Sequence, residues 1–135
     1  MSIFRFKKFN VVNERSAMKV NTDGVLLGAV MTVLPSDIRL LDIGTGTGTI
    51  ALMAAQRLSS LITKGVGISS ETVTISAIDI DEPSASEAAM NFSESPWPGL
   101  LNAYNLSLDQ FSQTLKEDVR FDLIFSNPPY FEDSL

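Results

Sequence analysis

Three glycines spaced two apart at the end of a buried strand constrain this chain more than any other feature. In "IRLLDIGTGTGTIALMAAQRLSSL" the apolar run 38–43 reads as a short buried strand, Gly44, Gly46 and Gly48 follow it, and a helix is expected over 49–61 with Ile50, Met53, Ala54, Leu58 and Leu61 on one face. Each glycine costs about 0.5 to 1 kcal/mol of chain entropy relative to alanine. Glycines this close together usually let something approach the backbone.

The rest of the sequence continues the alternation. "TDGVLLGAVMTVL" predicts a helix with Thr22 or Asp23 as N-cap, ending near Pro35. "VTISAIDI" (73–80) is β-branched and strand-like, and Asp81 with Pro83 signals the start of the next helix in "SASEAAMNF". "ESPWPG" breaks either period and reads as loop, "NAYNLS" (102–107) as a third strand, then a short helix, then "FDLIFS" (121–126) as a fourth strand. Pro128 and Pro129 cannot donate to a sheet ladder, so that strand stops there, with Asn127 and Tyr130 at its tip. Apolar strands alternating with helices predict an α/β fold, a parallel sheet with helices on both faces, and a ligand beyond the C-terminal strand ends.

Composition limits the chemistry. The 135 residues contain no cysteine and no histidine, which removes thiolates and the usual soft metal ligands, so no metal is expected. No apolar stretch reaches the roughly 18 residues that span a bilayer, and "MSIFRFKKF" lacks a signal peptide's apolar core, so no membrane partner is expected and the cytoplasm is the default. Residues 1–19 carry +4 of a net charge of −6, leaving −10 on the remainder. Arg5, Lys7, Lys8, Arg15 and Lys19 interleave with Phe4, Phe6 and Phe9, a mixture suited to a nucleic-acid strand, although such runs are as often just solvated.

The glycine turn differs from the dinucleotide fingerprint. G-x-G-x-x-G would need glycine at Thr49, so the spacing is wrong by one residue. Asp42 would also repel a pyrophosphate at the helix N-terminus, whereas a cationic ligand would welcome it. S-adenosylmethionine carries a sulfonium and an ammonium, and its carboxylate can meet the backbone amides of the turn. Asp79, at the tip of the second strand, is placed to accept hydrogen bonds from ribose hydroxyls, which both cofactors have.

"LLDIGTGTG", "AIDID" and "FDLIFSNPPYF", in this order, resemble the motifs of class I S-adenosylmethionine-dependent methyltransferases with a Rossmann-like fold, and Asn-Pro-Pro-Tyr resembles the signature of those that methylate amide or exocyclic amino nitrogens. The resemblance implies that the Asn127 side-chain oxygen and the Pro128 carbonyl accept the two N–H groups of a planar amine, while Tyr130 stacks on its ring. Such an amine is a poor nucleophile, so positioning and polarisation supply the catalysis without an acid or base side chain. "FKKFNVVNERSAMKVNTDGVLLGAV" further resembles the start of bacterial tRNA-valine adenine-N6 methyltransferases, with Met18, Lys19, Thr22 and Asp23 matching, which implies a tRNA substrate methylated beside the anticodon.

Two departures accompany the resemblance. Asn21 stands where the family has glycine, and the third strand offers Ser107, or Asp109 two residues on, where the family places an acidic residue near the cofactor's adenine. The family has seven strands, so a chain ending after four is expected to be the N-terminal part of a longer protein, or to need an oligomeric partner over its last strand. The expected organisation is a basic arm over 1–20 and a methyltransferase domain over 21–135. The alternatives kept open are another amide or amino substrate (protein glutamine, DNA or rRNA), an NAD-dependent oxidoreductase, and an inactive RNA-binding module.

Overall fold

The computed structural model describes residues 2–17, 19–34, 36–65 and 72–128. The chain opens with a hairpin of β1 (Ile3–Arg5) and β2 (Asn10–Val12), antiparallel with Phe4 opposite Val11. The basic arm is therefore folded: Lys7 and Lys8 are exposed at the turn, and Phe9 and Val11 are buried in the core. Phe9, expected within a segment suited to a nucleic-acid strand, packs into the body instead. Its ring stacks on Phe6 at 4.6 Å and meets Trp97 edge-on at 5.7 Å. Burying such a ring stabilises the fold by about 2 kcal/mol.

Helix α1 (Thr22–Val30) is shorter than expected and is capped by neither Thr22 nor Asp23. Asn21 is the N-cap, its Oδ1 accepting from the Gly24 amide at 2.9 Å. At the other end Met31 is extended, and the Arg57 guanidinium donates to the carbonyls of Gly28 and Met31. A cation from another helix thus satisfies carbonyls that a longer α1 would have bonded itself.

Next come β3 (Arg39–Ile43), α2 (Thr49–Thr63), β4 (Thr74–Ile78), α3 (Glu82–Glu94), β5 (Leu101–Tyr104), α4 (Leu108–Thr114) and β6 (Leu123–Ser126). The last four strands form one parallel sheet in the order β5-β4-β3-β6. Asp81 caps α3 as expected, accepting from the Ser84 amide. β5 ends earlier than the expected 107 because Asn105 turns aside to donate to the carbonyls of Asp79 and Ile80.

Alternation along the strands separates two cores. Leu40, Ile75, Leu101 and Phe125 face the buried side of α2 and α3 and the hairpin. Met53 and Leu61 lie at the margin of that core, while Ala51, Leu52 and Ala55, outside the predicted stripe, are fully buried with Ile50, Ala54 and Leu58. On the opposite face Leu41, Ile78 and Phe111 of α4 form a much smaller cluster.

Candidate active site

Register fixes the site. Ile43 pairs with Ile78 on one side and Ser126 on the other, and Ile78 pairs with Tyr104, so four strands finish on one line. The next residues, Gly44, Asp79, Asn105 and Asn127, therefore form a row along the C-terminal edge of the sheet. A cleft of about 370 Å³ opens above it, lined among others by Ala17, Gly44, Gly46, Asp79, Leu106 and Pro128. A narrower recess runs between the glycine turn and the start of α1, bordered by Lys19, Asn21, Gly44 and Asn127.

All three glycines of the turn have positive φ, at 72°, 57° and 85°. Two of them serve different ends. A Cβ on Gly44 would meet nothing within 4 Å, so the backbone there is open to the cleft. A Cβ on Gly48 would lie 2.5 Å from the Phe92 ring, so this glycine lets the start of α2 sit against α3. The turn's amides are largely committed: Gly44 and Thr45 donate to the Ile78 carbonyl, Gly48 to that of Thr45, and Gly46 to Asp79 Oδ2 at 2.9 Å. The amides expected to receive a ligand carboxylate are thus mostly engaged within the chain.

Asp79 holds the Gly46 amide with one oxygen and the Asp81 amide with the other, which fixes the carboxylate at the cleft wall. Each oxygen keeps a further lone pair for a ligand hydroxyl. Asp42 lies under the turn, fully buried, with Oδ2 accepting from the Thr45 hydroxyl at 2.8 Å. Its Oδ1 has no hydrogen-bond partner among the described residues. Burial chiefly, with Asp79's charge adding and the Thr45 hydroxyl and the nearby Ala51 amide opposing, pushes the Asp42 carboxyl up to about 7.

At the tip of β6, Asn127 is half-buried and its Nδ2 lies 3.5 Å from Asn21 Oδ1. Pro128 borders the cleft. Tyr130 lies outside the described residues. Lys19 Nζ donates to the carbonyls of Asn13 and Glu14, and Thr22 is exposed in the first turn of α1. The structure does not bring Ser107 and Asp109 to the cleft wall, which Leu106 and Leu108 form on that side. Ser107 instead caps α4 in a reciprocal box with Gln110, and Asp109 is exposed.

Sequence reasoning missed the residues of α3 that hold the cleft's outer wall. Glu87 accepts from the amides of Glu14, Arg15 and Ser16 and from the Ser16 hydroxyl. Burial opposes its charge, yet these bonds together hold its carboxyl below the ordinary value. Ser84 receives the Ala17 amide, and Asn91 joins Val12 to the Thr47 carbonyl of the glycine turn. The available signal was spacing: three polar side chains at i, i+3 and i+7 in "SASEAAMN" share one helical face.

Among the described residues no group of three or more acidic side chains is placed to hold a metal ion, and no helix is long and apolar enough to cross a membrane. The chain matches no protein-family model. It is similar over nearly its whole length to tRNA1(Val) (adenine(37)-N6)-methyltransferases: 45% identical over 132 residues to that of Parabacteroides distasonis and 43% over 132 to that of Citrobacter koseri. Those alignments take in 98% of this chain but 49% and 48% of the relatives, so the chain spans about half the length of the curated relatives it matches. Among solved structures, the O-methyltransferase from Bacillus cereus, in complex with SAH, superposes with a TM-score of 0.55 at 19% identity, covering 84% of this chain and 47% of that one. The fold is the Rossmann-like methyltransferase fold.

Proposed function

We propose that this chain is the cofactor-binding part of an S-adenosylmethionine-dependent N-methyltransferase whose substrate is the N6 amino group of an adenine in tRNA, beside the anticodon. One observation carries the reading: the register places Asn127 directly beside Gly44, so a planar amine held at the tip of β6 faces a ligand held over the glycine turn. The similarity to tRNA adenine-N6 methyltransferases supports the same substrate. Such an enzyme works in the cytoplasm.

Two features of the chain fit the cofactor. The open face of Gly44 suits a ligand lying close against the backbone, and Asp42, buried beneath the turn, places a carboxyl near it that favours a positive charge when ionised. When bound, S-adenosylmethionine supplies an electrophilic methyl group. Asp79 would accept from the ribose hydroxyls, and an ionised Asp42 would favour the ligand's positive charge from within the protein's low dielectric. Asn127 Oδ1 and the Pro128 carbonyl accept the two N–H groups of the amine, which orients its lone pair and raises its electron density. The proton lost afterwards passes to solvent, since no basic side chain is needed once the nitrogen carries the methyl.

The proposed division of labour is a basic arm over 1–20 that faces RNA and a catalytic part over 21–135. It is a division of tasks, because the arm's Phe9 and Val11 share the core with the rest. Two measurements on the full-length protein test the reading. Mass spectrometry of tRNA from cells lacking it is expected to show a lost N6-methyladenine. Calorimetry is expected to show S-adenosylhomocysteine binding more tightly than NAD, and the reverse order would end the proposal.

A further inference from the structure

An asparagine side chain has two ends of nearly equal size and opposite hydrogen-bonding character, so the usefulness of Asn127 depends on which end faces the substrate. Among the described residues, the neighbour across the recess decides this. Asn21 Oδ1 accepts from the Gly24 amide at 2.9 Å, and its Nδ2 donates to the Lys19 carbonyl at 3.1 Å, so both ends of Asn21 are assigned by the backbone. The group that Asn21 presents toward Asn127 is therefore an acceptor, 3.5 Å from Asn127 Nδ2. Turning the Asn127 amide over would set oxygen against oxygen. Gly24 closes the same corner: a Cβ there would lie 3.0 Å from Asn127 Nδ2, so the absence of a side chain is what lets the amide sit beside the helix cap.

We infer that Asn21 is a positioning residue for methyl transfer: it holds the NH₂ of Asn127 and thereby directs Asn127 Oδ1 toward the substrate amine. The inference rests on the function proposed above. It couples the first helix to the reacting end of the last described strand across 106 positions of sequence.

Three variants of the full-length protein test it. Asn21→Gly keeps a competent helix N-cap but removes the acceptor, and is expected to lower kcat about 3- to 10-fold, with S-adenosylhomocysteine affinity and tRNA KM unchanged within about twofold. Asn21→Asp keeps an acceptor for both partners and is expected to restore kcat to within about threefold of wild type. Gly24→Ala raises helix propensity and so is expected to leave the melting temperature unchanged or higher, yet to lower kcat because its methyl displaces the Asn127 amide. A purely structural role predicts the opposite pairing, with activity following stability. Wild-type kcat in Asn21→Gly, or a kcat loss in Asn21→Asp equal to that in Asn21→Gly, overturns the inference. A wild-type protein without methyl transfer would instead overturn the underlying function.

Discussion

At the tip of β3 the backbone amides of Gly44, Thr45, Gly46 and Gly48 all donate within the chain, and Asp79 is fixed by two amides of its own. At the tip of β6, Asn127 is held among the described residues by an interaction of 3.5 Å with the cap of α1. One end of the site is a shape set by many short bonds, and the other is a single side chain whose orientation depends on a neighbour. The difference matches the two tasks. A cofactor common to many reactions asks for a fixed mould, whereas a reacting amine asks for one acceptor aimed correctly and room to enter.

The comparison predicts that damage at the two tips separates by readout. Asn127→Ala in the full-length protein should lower the single-turnover rate by about 10² to 10³ while leaving cofactor affinity nearly unchanged. A variant that keeps most of the wild-type rate would remove Asn127 from the mechanism.

The mould depends on its outer wall, and Glu87 tests that dependence. Its carboxylate receives three backbone amides and a hydroxyl, so Glu87→Gln should destabilise the protein by about 1.5 to 3 kcal/mol in chemical denaturation. The pH dependence has a definite sign. The folded carboxyl lies below its ordinary 4.5, so the stability it contributes is present above that value and is lost as pH falls through the lower folded value. The wild type should therefore approach the variant's stability in acid, and a constant gap down to low pH would contradict the assignment.

Asp42 has the reverse sign. Its folded value is raised from 3.8 to about 7, so its contribution to stability is present below 3.8 and is lost as pH rises toward 7. A cationic ligand favours the ionised form, and affinity for S-adenosylmethionine, which carries the sulfonium, should rise about tenfold between about pH 6 and pH 8. Asp42→Asn should flatten that rise, and calorimetry across this range checks it.

Most of this architecture was readable in advance. The four parallel strands, the glycine turn and the cap at Asp81 announce themselves through local pattern, because apolar runs, positive-φ glycines and capping residues act over a few positions. Two local signals were present and misread. Asn21 is as good a cap as Thr22 or Asp23, and Ser107 with Gln110 three residues later spells a capping box rather than a ligand site. The bonds of Glu87 and Asn91 were of another kind: their partners lie 44 to 79 positions away, and no local periodicity encodes a bond across that distance. The hairpin strands escaped notice because each has three residues, too few to show alternation.

The hairpin also supplies the smallest expected effect. Lys8 borders a groove with Thr63, Lys64 and Trp97 at the far end of α2. That groove runs along the second half of α2 from Gln56, so its near end lies a helical rise of about 12 Å from Gly48. Replacing Lys7 and Lys8 with alanine should weaken tRNA binding and lower its log–log salt slope by roughly one unit for each phosphate no longer neutralised, without changing kcat or cofactor affinity. An unchanged slope would make the exposed arm a solvated surface.

The long reach of Asn91 sets a timetable for synthesis. Residues 2–17 leave the ribosome before the side chains that receive them, Ser84, Glu87 and Asn91, which are translated some seventy positions later. At about 5 to 20 residues per second the interval is on the order of 4 to 15 s. A lone two-stranded hairpin is marginal in water, so Phe9, buried in the finished fold, spends those seconds uncovered. Arg5, Lys7 and Lys8 lie beside it, the placement by which charges limit association of an uncovered apolar segment.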